Sequence, residues 1–327
     1  MREMGKGMIG RSGKALIVVY IICLVVLFLM CSTDLIIREP EQKIYQISVI
    51  IEDVRGDNYG NFRKGMDQAA MEFNTDIHFI TLYENLDAGQ QMELMDREQQ
   101  DGADALIVVP VDEEQMEEKQ MTIPVILLRS GVAEAAGAEN VIIDYEKMGE
   151  RLAWEILEDI SNETSICVLT DSVRQSAMDS MFLKGIDEVF SKEGRKVQRV
   201  ARREEDGFRT VFEMTGMQME GEIVFIAQNQ DILAEAAGIL ADYAAAGKDV
   251  AGLYGRGTTI PILNYLDKGL ITGICVTDEF SIGYYSVREA VRALEGAGSV
   301  PTVMDSYYIE KEDLRNPAFE KMLFPID

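Results

Sequence analysis

The segment Ile223–Gly238, IVFIAQNQDILAEAAG, joins an apolar run to three amides and a small-residue helical pattern. The apolar run Ile223–Ala227 predicts a strand buried on both faces, and the alanine-rich part predicts a helix packed closely on a sheet. A strand followed at once by a helix is the repeating unit of a doubly wound parallel sheet. Gln228, Asn229 and Gln230 stand at the strand end, where a buried amide without a partner is costly.

The same strand–helix alternation continues along most of the chain. Apolar segments rich in Val, Ile and Leu predict further strands, and amphipathic helical patterns fill the gaps between them. The predicted strands are residues 45–53, 77–83, 105–111, 123–129, 141–145, 165–171, 196–203, 222–228, 250–255, 271–277 and 302–309. This number exceeds one small α/β unit, so we predict two similar doubly wound parallel-sheet lobes.

The N-terminal segment predicts the cellular compartment. Basic residues precede the uncharged run 15–31, ALIVVYIICLVVLFLMC, whose length is near the lower limit for a membrane-spanning helix. Because basic residues before such a run favour the inside, we expect residues 1–14 to be a cytoplasmic tail and 15–31 a single-pass anchor. Residues 32–44 would then tether an extracytoplasmic domain. Two alternatives stay open, namely a lipoprotein attached at Cys31 and a cleaved signal segment.

Composition argues against several classes of function. The formal net charge is -26, which repels nucleic acid and anionic lipid headgroups. The chain has one histidine and carries neither a G-x-S-x-G nor an H-E-x-x-H motif. We therefore expect no enzyme, no catalytic residues, no metal site and no cofactor.

Two cysteines fall in predicted strands. Cys167 lies in SICVLTD and Cys275 in ITGICVTD, and neither belongs to a C-x-x-C motif. They are interpreted as small buried core residues, with a disulfide between them left as an alternative.

Several stretches, in this order, resemble the type I periplasmic sugar-binding protein family. They are ISVIIEDVRGDNYGNFRKGMDQAA, QDGADALIVVPVD, IPVILLRSG, VIIDYEKMGERLA, AQNQDILAEAAGIL and LITGICVTDEFSIGYYSVREAV. The resemblance covers about Tyr45 to Glu312. The family includes ribose- and galactose-binding proteins. The same fold forms the effector domain of lac-repressor-type regulators.

The resemblance implies two lobes joined by three crossovers, with a ligand enclosed between them. The crossovers are expected near Asp144, Thr277 and Met304. Lobe 1 would comprise residues 45–143 plus 278–304, and lobe 2 residues 144–277 plus 305–327.

The resemblance also implies a set of ligand-binding residues at the strand ends that face the cleft. The predicted set is Arg55, Asn58, Tyr59, Arg129, Ser130, Asp144, Arg174, Asn229, Arg256 and Thr277. Tyr59 falls where the family often stacks an aromatic ring on a sugar, and Asn229 matches the family's ligand-binding asparagine. The usual arginine of lobe 2 aligns with Ser180, and Arg174 in the same loop is a candidate substitute.

Two departures bear on the chemistry of the ligand. Arg129 stands where ribose-binding relatives have an acid, and Arg256 stands where they have a sugar-binding aspartate. Because guanidinium groups suit carboxylates and phosphates, one hypothesis is an anionic ligand such as a uronic acid or sugar phosphate. The alternative is that the arginines pair with local acids, for which Asp53, Asp144, Asp171 and Asp278 are the candidates.

The favoured function is a membrane-tethered solute-binding protein that closes on a small sugar-like ligand for import by an ABC permease. The alternative is a ligand-sensing partner of a membrane receptor such as a histidine kinase. A transcription regulator is excluded because the chain has no helix-turn-helix before the binding domain, and an apolar segment stands there instead.

Overall fold

Strands and helices alternate along the chain in the computed structural model. It describes residues 11–32, 43–52, 59–84, 86–112, 115–116, 119–130, 140–171, 176–202, 207–218, 222–245, 252–297 and 301–324. The chain divides into two units, Met1–Ile44 and Tyr45–Asp327.

The strands of the larger unit are short. They are β1 Tyr45–Ile50, β2 Thr75–Ile80, β3 Ala105–Val108, β4 Val125–Ser130, β5 Asn140–Ile143, β6 Ser165–Thr170, β7 Val197–Ala201, β8 Ile223–Ala227, β9 Gly252–Arg256, β10 Gly273–Thr277, β11 Thr302–Met304 and β12 Ser306–Glu310. Strands β3, β8 and β10 are buried along their whole length.

Amphipathic helices connect the strands. They are α2 Gly60–Phe73, α3 Ala88–Asp101, α4 Tyr145–Asp159, α5 Ala177–Lys192, α6 Arg209–Gln218, α7 Gln230–Ala245, α8 Ile260–Asp267, α9 Glu279–Leu294 and α10 Pro317–Leu323, with a 3-10 turn at Lys311–Arg315. Helix α1, Arg11–Ser32, belongs to the N-terminal unit.

The strands form two six-stranded sheets of matching order. One runs β11-β5-β4-β3-β1-β2 and the other β12-β10-β9-β8-β6-β7. All neighbours pair in parallel except β12, which is antiparallel to β10. The predicted α/β class with two parallel-sheet lobes is confirmed. We call the first sheet with α2, α3 and α9 lobe 1, and the second with α4 to α8 lobe 2.

The last predicted strand, residues 302–309, is wrong as a single element. β11 pairs with β5 in lobe 1, whereas β12 pairs with β10 in lobe 2, and Asp305 lies between them. The chain passes from one sheet to the other at this point. A period-two pattern records which side chains share a face but not which sheet the backbone joins, so the strand pattern did not divide this segment, although the family resemblance implied a crossover near Met304.

In lobe 1, helices α2 and α9 cross so closely that each uses a glycine at the contact. A Cβ at Gly65 would lie 1.9 Å from the carbonyl oxygen of Phe280, and one at Gly283 would lie 2.0 Å from that of Phe62. Both distances are far below van der Waals contact with a backbone atom. Only glycine therefore allows this crossing.

Lobe 2 repeats the crossing with helices α4 and α5. A Cβ at Gly149 would lie 2.1 Å from the carbonyl oxygen of Phe182, and one at Gly185 would lie 1.9 Å from that of Glu146. In both lobes the carbonyl opposite a glycine belongs to the residue three positions before the partner glycine. In both lobes, the helix that follows a crossover therefore packs on its neighbour through the same kind of reciprocal glycine contact.

Substitution of these glycines should destabilise the fold. Gly65→Ala or Gly149→Ala forces a methyl group into a backbone, and overpacking of this kind costs about 1–3 kcal/mol of unfolding free energy. Gly60→Ala is the matched control in α2, because a Cβ at Gly60 meets nothing within 4 Å. Denaturant unfolding should show a lower midpoint for the two crossing variants only. Equal midpoints for Gly60→Ala and Gly65→Ala would contradict this account.

The N-terminal unit contains an apolar helix. The segment Gly13–Met30 of α1 has a mean hydropathy of 2.7 and is long and apolar enough to cross a membrane. A signal sequence near an N-terminus has the same properties, so this finding fits both an anchor and a signal segment.

The two strand cysteines are core residues, as predicted. Cys167 in β6 and Cys275 in β10 are both fully buried, and both are free thiols. Burial raises the pKa of Cys167 to about 12 and raises that of Cys275 further, so both stay protonated.

Candidate ligand-binding site

A cavity of about 410 Å³ opens between the two lobes. Its walls come from the carboxyl ends of strands in both sheets and from the helix starts that follow them, which is where open α/β sheets bind ligands. Lobe 1 contributes Glu52, Tyr59 and Leu128, and lobe 2 contributes Asn229 and Thr277, among others. The volume lies within the range of small-molecule pockets.

A buried ion pair forms the lobe 2 wall of this cavity. Arg256 ends β9, and its guanidinium contacts the carboxylate of Asp179 in the first turn of α5. The side chains are only 15% and 6% exposed, so solvent screens the pair weakly. Burial by itself would lower the pKa of Arg256, but the adjacent Asp179 carboxylate outweighs it and the pKa is raised.

Asp179 also collects hydrogen bonds from three other groups. Its Oδ2 accepts from the backbone N–H of Ser176 at 3.3 Å, from Gln228 Nε2 at 3.3 Å and from Asn229 Nδ2 at 3.4 Å. With Arg256 on Oδ1, the carboxylate has donors on both oxygens. The amides after β8 are therefore partnered inside lobe 2.

The same amides are fixed at their oxygen ends. Asn229 Oδ1 accepts from the Ile232 N–H at 3.1 Å and so caps helix α7, which begins at Gln230. Gln228 is fully buried, and its oxygen accepts from the Asp171 N–H at 3.3 Å. Because both ends of Asn229 are held, its orientation at the cavity wall is set before any ligand arrives.

Two aromatic rings flank the Arg256 guanidinium. Its central carbon lies 5.0 Å from the ring centroid of Tyr145 and 5.5 Å from that of Phe182. Burial raises the pKa of Tyr145 to about 12, so its hydroxyl stays neutral. Within the described part of the chain, Arg256 Nε is buried without a hydrogen-bond partner.

Lobe 1 faces this arrangement with two carboxyl groups. Glu52, at the end of β1, is 8% exposed and accepts from the hydroxyl of Tyr59 at 2.7 Å. Glu279 is the first residue of α9, and burial raises its pKa to about 7, although the Thr258 side chain and Arg256 act in the opposite direction.

A second ion pair also lines the cavity. Arg202, just after β7, contacts Glu235 of α7 at 2.9 Å, and Glu235 also accepts from the Phe208 N–H at 3.2 Å. Both charged residues line the cavity. Each guanidinium that the described residues bring to the wall is therefore already paired with a carboxylate.

The structure brings four of the predicted ligand-binding residues to the cavity. They are Tyr59, Asn229, Arg256 and Thr277. Asp144 is not among the described lining residues, and its carboxylate caps α4 by accepting from the Lys147 N–H at 2.9 Å. Arg129 and Ser130 end β4, but their side chains lie outside the described residues, as do Arg55, Asn58 and Arg174 altogether.

Sequence reasoning missed most residues of the cavity wall, and Glu52, Tyr145, Asp179 and Glu279 are the ones that bear on its chemistry most. Asp179 had a signal, because Ser176 and Asp179 form a capping box, the S-x-x-D pattern that starts α5. It was also the acid that pairs with Arg256, and it was not among the four acids proposed for that role. Glu52 and Glu279 carry no local signal beyond their position next to a strand end.

The fold and this site define a two-lobed binding protein with a cavity between the lobes. The family model described as "Periplasmic binding protein domain" matches residues 47–298. The chain belongs to the periplasmic binding protein family, as the sequence resemblance indicated. No curated protein matches the chain at a significant level.

Solved structures share this fold at low sequence identity. A carbohydrate transporter solute-binding protein from Agrobacterium radiobacter has a TM-score of 0.72 at 15% identity, covering 86% of this chain and 99% of its own. GanP, a glucose-galactose binding protein from Geobacillus stearothermophilus, has a TM-score of 0.68 at 18% identity, covering 84% and 99%. A solute-binding protein from Bacillus halodurans has 0.69 at 18% identity, covering 86% and 99%.

Loss of the Asp179 charge should destabilise lobe 2 strongly. Asp179→Asn leaves Arg256 buried opposite a neutral group, and breaking a buried pair in this way costs about 3 kcal/mol or more of unfolding free energy. Asp242→Asn is the control, because it breaks an exposed pair with Arg209 and should change stability little. Denaturant unfolding of both variants measures the difference. If the two variants lose equal stability, the Asp179–Arg256 pair does not stabilise lobe 2.

Proposed function

We propose that this protein is an extracytoplasmic solute-binding protein that closes on a small neutral sugar or polyol and delivers it to an ABC importer. The observation that carries the proposal is the cavity between the lobes, whose wall combines carboxylates, a fixed amide and aromatic rings. Carboxylates accept hydrogen bonds from hydroxyl groups, and a ring covers the apolar face of a sugar. A binding role, rather than catalysis, follows from this proposal.

The related structures support a sugar-like ligand. The Agrobacterium radiobacter protein was solved in complex with D-arabinose and the Bacillus halodurans protein with bound myo-inositol. These are neutral, hydroxyl-rich molecules, and both proteins are described as transporter solute-binding proteins. The same class of ligand fits the polar wall of this cavity.

The charge of the wall favours a neutral ligand over the anionic one considered from the sequence. Among the described residues, the acids lining the cavity are Glu52, Asp171, Asp179, Asp231, Glu235 and Glu279. The arginines there are Arg202 and Arg256, and each is paired with one of those acids. At Arg256, an anionic group would have to displace a carboxylate from a buried guanidinium, which is unfavourable.

Ligand class can be measured directly by thermal shift on the full chain in mild detergent. The neutral panel is D-arabinose, D-allose, D-tagatose, D-galactose and myo-inositol, and the matched anions are D-galacturonate and D-glucuronate. We expect a neutral member to raise the melting temperature, since ligand at about 100 times its Kd adds about 2.7 kcal/mol of stability. A shift given by the anions alone would overturn the neutral assignment. No shift from any compound would count against the proposed function.

We also propose that α1 holds the domain at the membrane as an uncleaved anchor. Its length and hydropathy fit a spanning helix, and the family places the domain outside the cytoplasm. Anchoring keeps a binding protein near its membrane partner, which raises the local concentration for repeated delivery.

Anchoring and lipidation can be separated by a cysteine substitution. In a bacterial host, the Cys31→Ser variant should stay in the membrane pellet after an alkaline carbonate wash, because attachment comes from the helix. Cys23→Ser, within the same helix, is the control for loss of a thiol alone. Release of Cys31→Ser but not of Cys23→Ser would indicate a lipoprotein. A soluble product shortened by mass spectrometry would indicate a cleaved signal.

A further inference from the structure

Glu279 lies in the cavity wall at the point where the chain crosses from lobe 2 to lobe 1. It is the first residue of α9 and follows the crossover from β10, so it belongs to lobe 1 and lines the cavity at the junction with lobe 2. The Thr258 side chain, just after β9, and the Arg256 guanidinium are close enough to favour its ionised form. Glu279 and both of these residues line the cavity.

The charged and titratable groups around Glu279 come from each neighbouring element. Arg256 of β9 favours the ionised carboxylate, whereas Asp278, the N-cap of α9, opposes it. Tyr145 of α4 is within electrostatic range and stays neutral. The Arg256 charge is shared with Asp179, which contacts the guanidinium directly. Glu279 is therefore not neutralised by an ion pair of its own among the described residues.

We propose that Glu279 is a ligand-binding residue that accepts a hydrogen bond from a ligand hydroxyl. This inference rests on the proposed function and adds a specific acceptor on the lobe 1 wall to it. Lobe 2 contributes the guanidinium of Arg256 to the cavity wall, and this group carries only donors. A polyol satisfies both walls, because each hydroxyl donates one hydrogen bond and accepts others.

Such a contact links ligand affinity to pH. Burial holds the pKa of Glu279 at about 7 in the unliganded protein. A hydroxyl that donates to the ionised carboxylate favours the charged form, so ligand binding lowers that pKa and releases a proton. Affinity should then increase as pH rises toward 7 and level off above it. The increase is about tenfold for each unit by which binding lowers the pKa.

The experiment uses the full chain in mild detergent and the same neutral panel at pH 5.5, 6.5, 7.5 and 8.5. The sugar with the largest thermal shift is then titrated by calorimetry. At pH 6.5 it is titrated in phosphate and in imidazole, two buffers of different ionisation enthalpy. We expect tighter binding at pH 7.5 than at 5.5 and a buffer-dependent enthalpy that reports proton release. Glu279→Gln should bind more weakly and with a flat pH profile over this window.

Two further variants keep the inference testable if Glu279→Gln folds poorly. Thr258→Val removes a group that lowers the Glu279 pKa, so the midpoint of the pH profile should move to higher pH. Glu312→Gln, an exposed carboxylate in the 3-10 turn, should keep the wild-type profile.

The outcomes distinguish this inference from the proposed function. A sugar that binds with equal affinity at all four pH values would overturn the role of Glu279 and leave the proposed function standing. The same applies if Glu279→Gln keeps the wild-type pH dependence. If no sugar of the panel binds at any pH, the proposed function fails and this inference fails with it.

Discussion

The buried contact between Asp179 and Arg256 is the interaction on which the site depends. A carboxylate at 6% side-chain exposure is tolerable only when its hydrogen-bonding capacity is filled and a counter-charge lies beside it. Asp179 meets both conditions by taking donors from its own helix start, from the residues after β8 and from the end of β9. One side chain thereby holds three elements of lobe 2 in register at the cavity wall.

In this arrangement, the residue that orients the polar groups of the cavity wall is distinct from the groups that would contact a ligand. In lobe 2, the amide of Asn229 and the guanidinium of Arg256 are oriented by Asp179, so the ligand need not organise them on arrival. Preorganised polar groups lose less entropy on binding, which favours affinity for a small molecule with few contacts. In lobe 1, Glu52 accepts from the hydroxyl of Tyr59, and the hydroxyl of Thr258 favours the ionised form of Glu279. A ligand hydroxyl is chemically equivalent to these donors.

The sequence predicted the fold well because strand burial and helix periodicity are local signals. The structure contains the predicted strand Ile223–Ala227 and the predicted helix that follows it, which begins at Gln230. The pairing of Arg256 was not predictable in the same way. Its partner lies 77 positions away on a helix of the same lobe, and charge alone did not distinguish Asp179 from other acids nearer in sequence or in the expected cleft. The strand pattern also did not divide residues 302–309 at Asp305, since both halves alternate with the same period, and only the family resemblance implied a crossover near Met304.

The glycine crossings explain how one fold can keep its geometry while its cavity residues change. Gly65 with Gly283, and Gly149 with Gly185, bring helix backbones into direct contact, which leaves little freedom in the distance between the paired helices. Helices α2, α4, α5 and α9 all begin at or beside cavity residues, namely Tyr59, Tyr145, Asp179 and Glu279. The positions of these side chains are therefore fixed by backbone packing that does not depend on their own chemistry. An arginine at position 256 can pair with an acid on α5 without moving the helix that carries it. The relative positions of these helices thus follow from glycine contacts that are repeated in both lobes. Ligand preference follows from the residues at the strand and helix ends that these helices hold at the cavity.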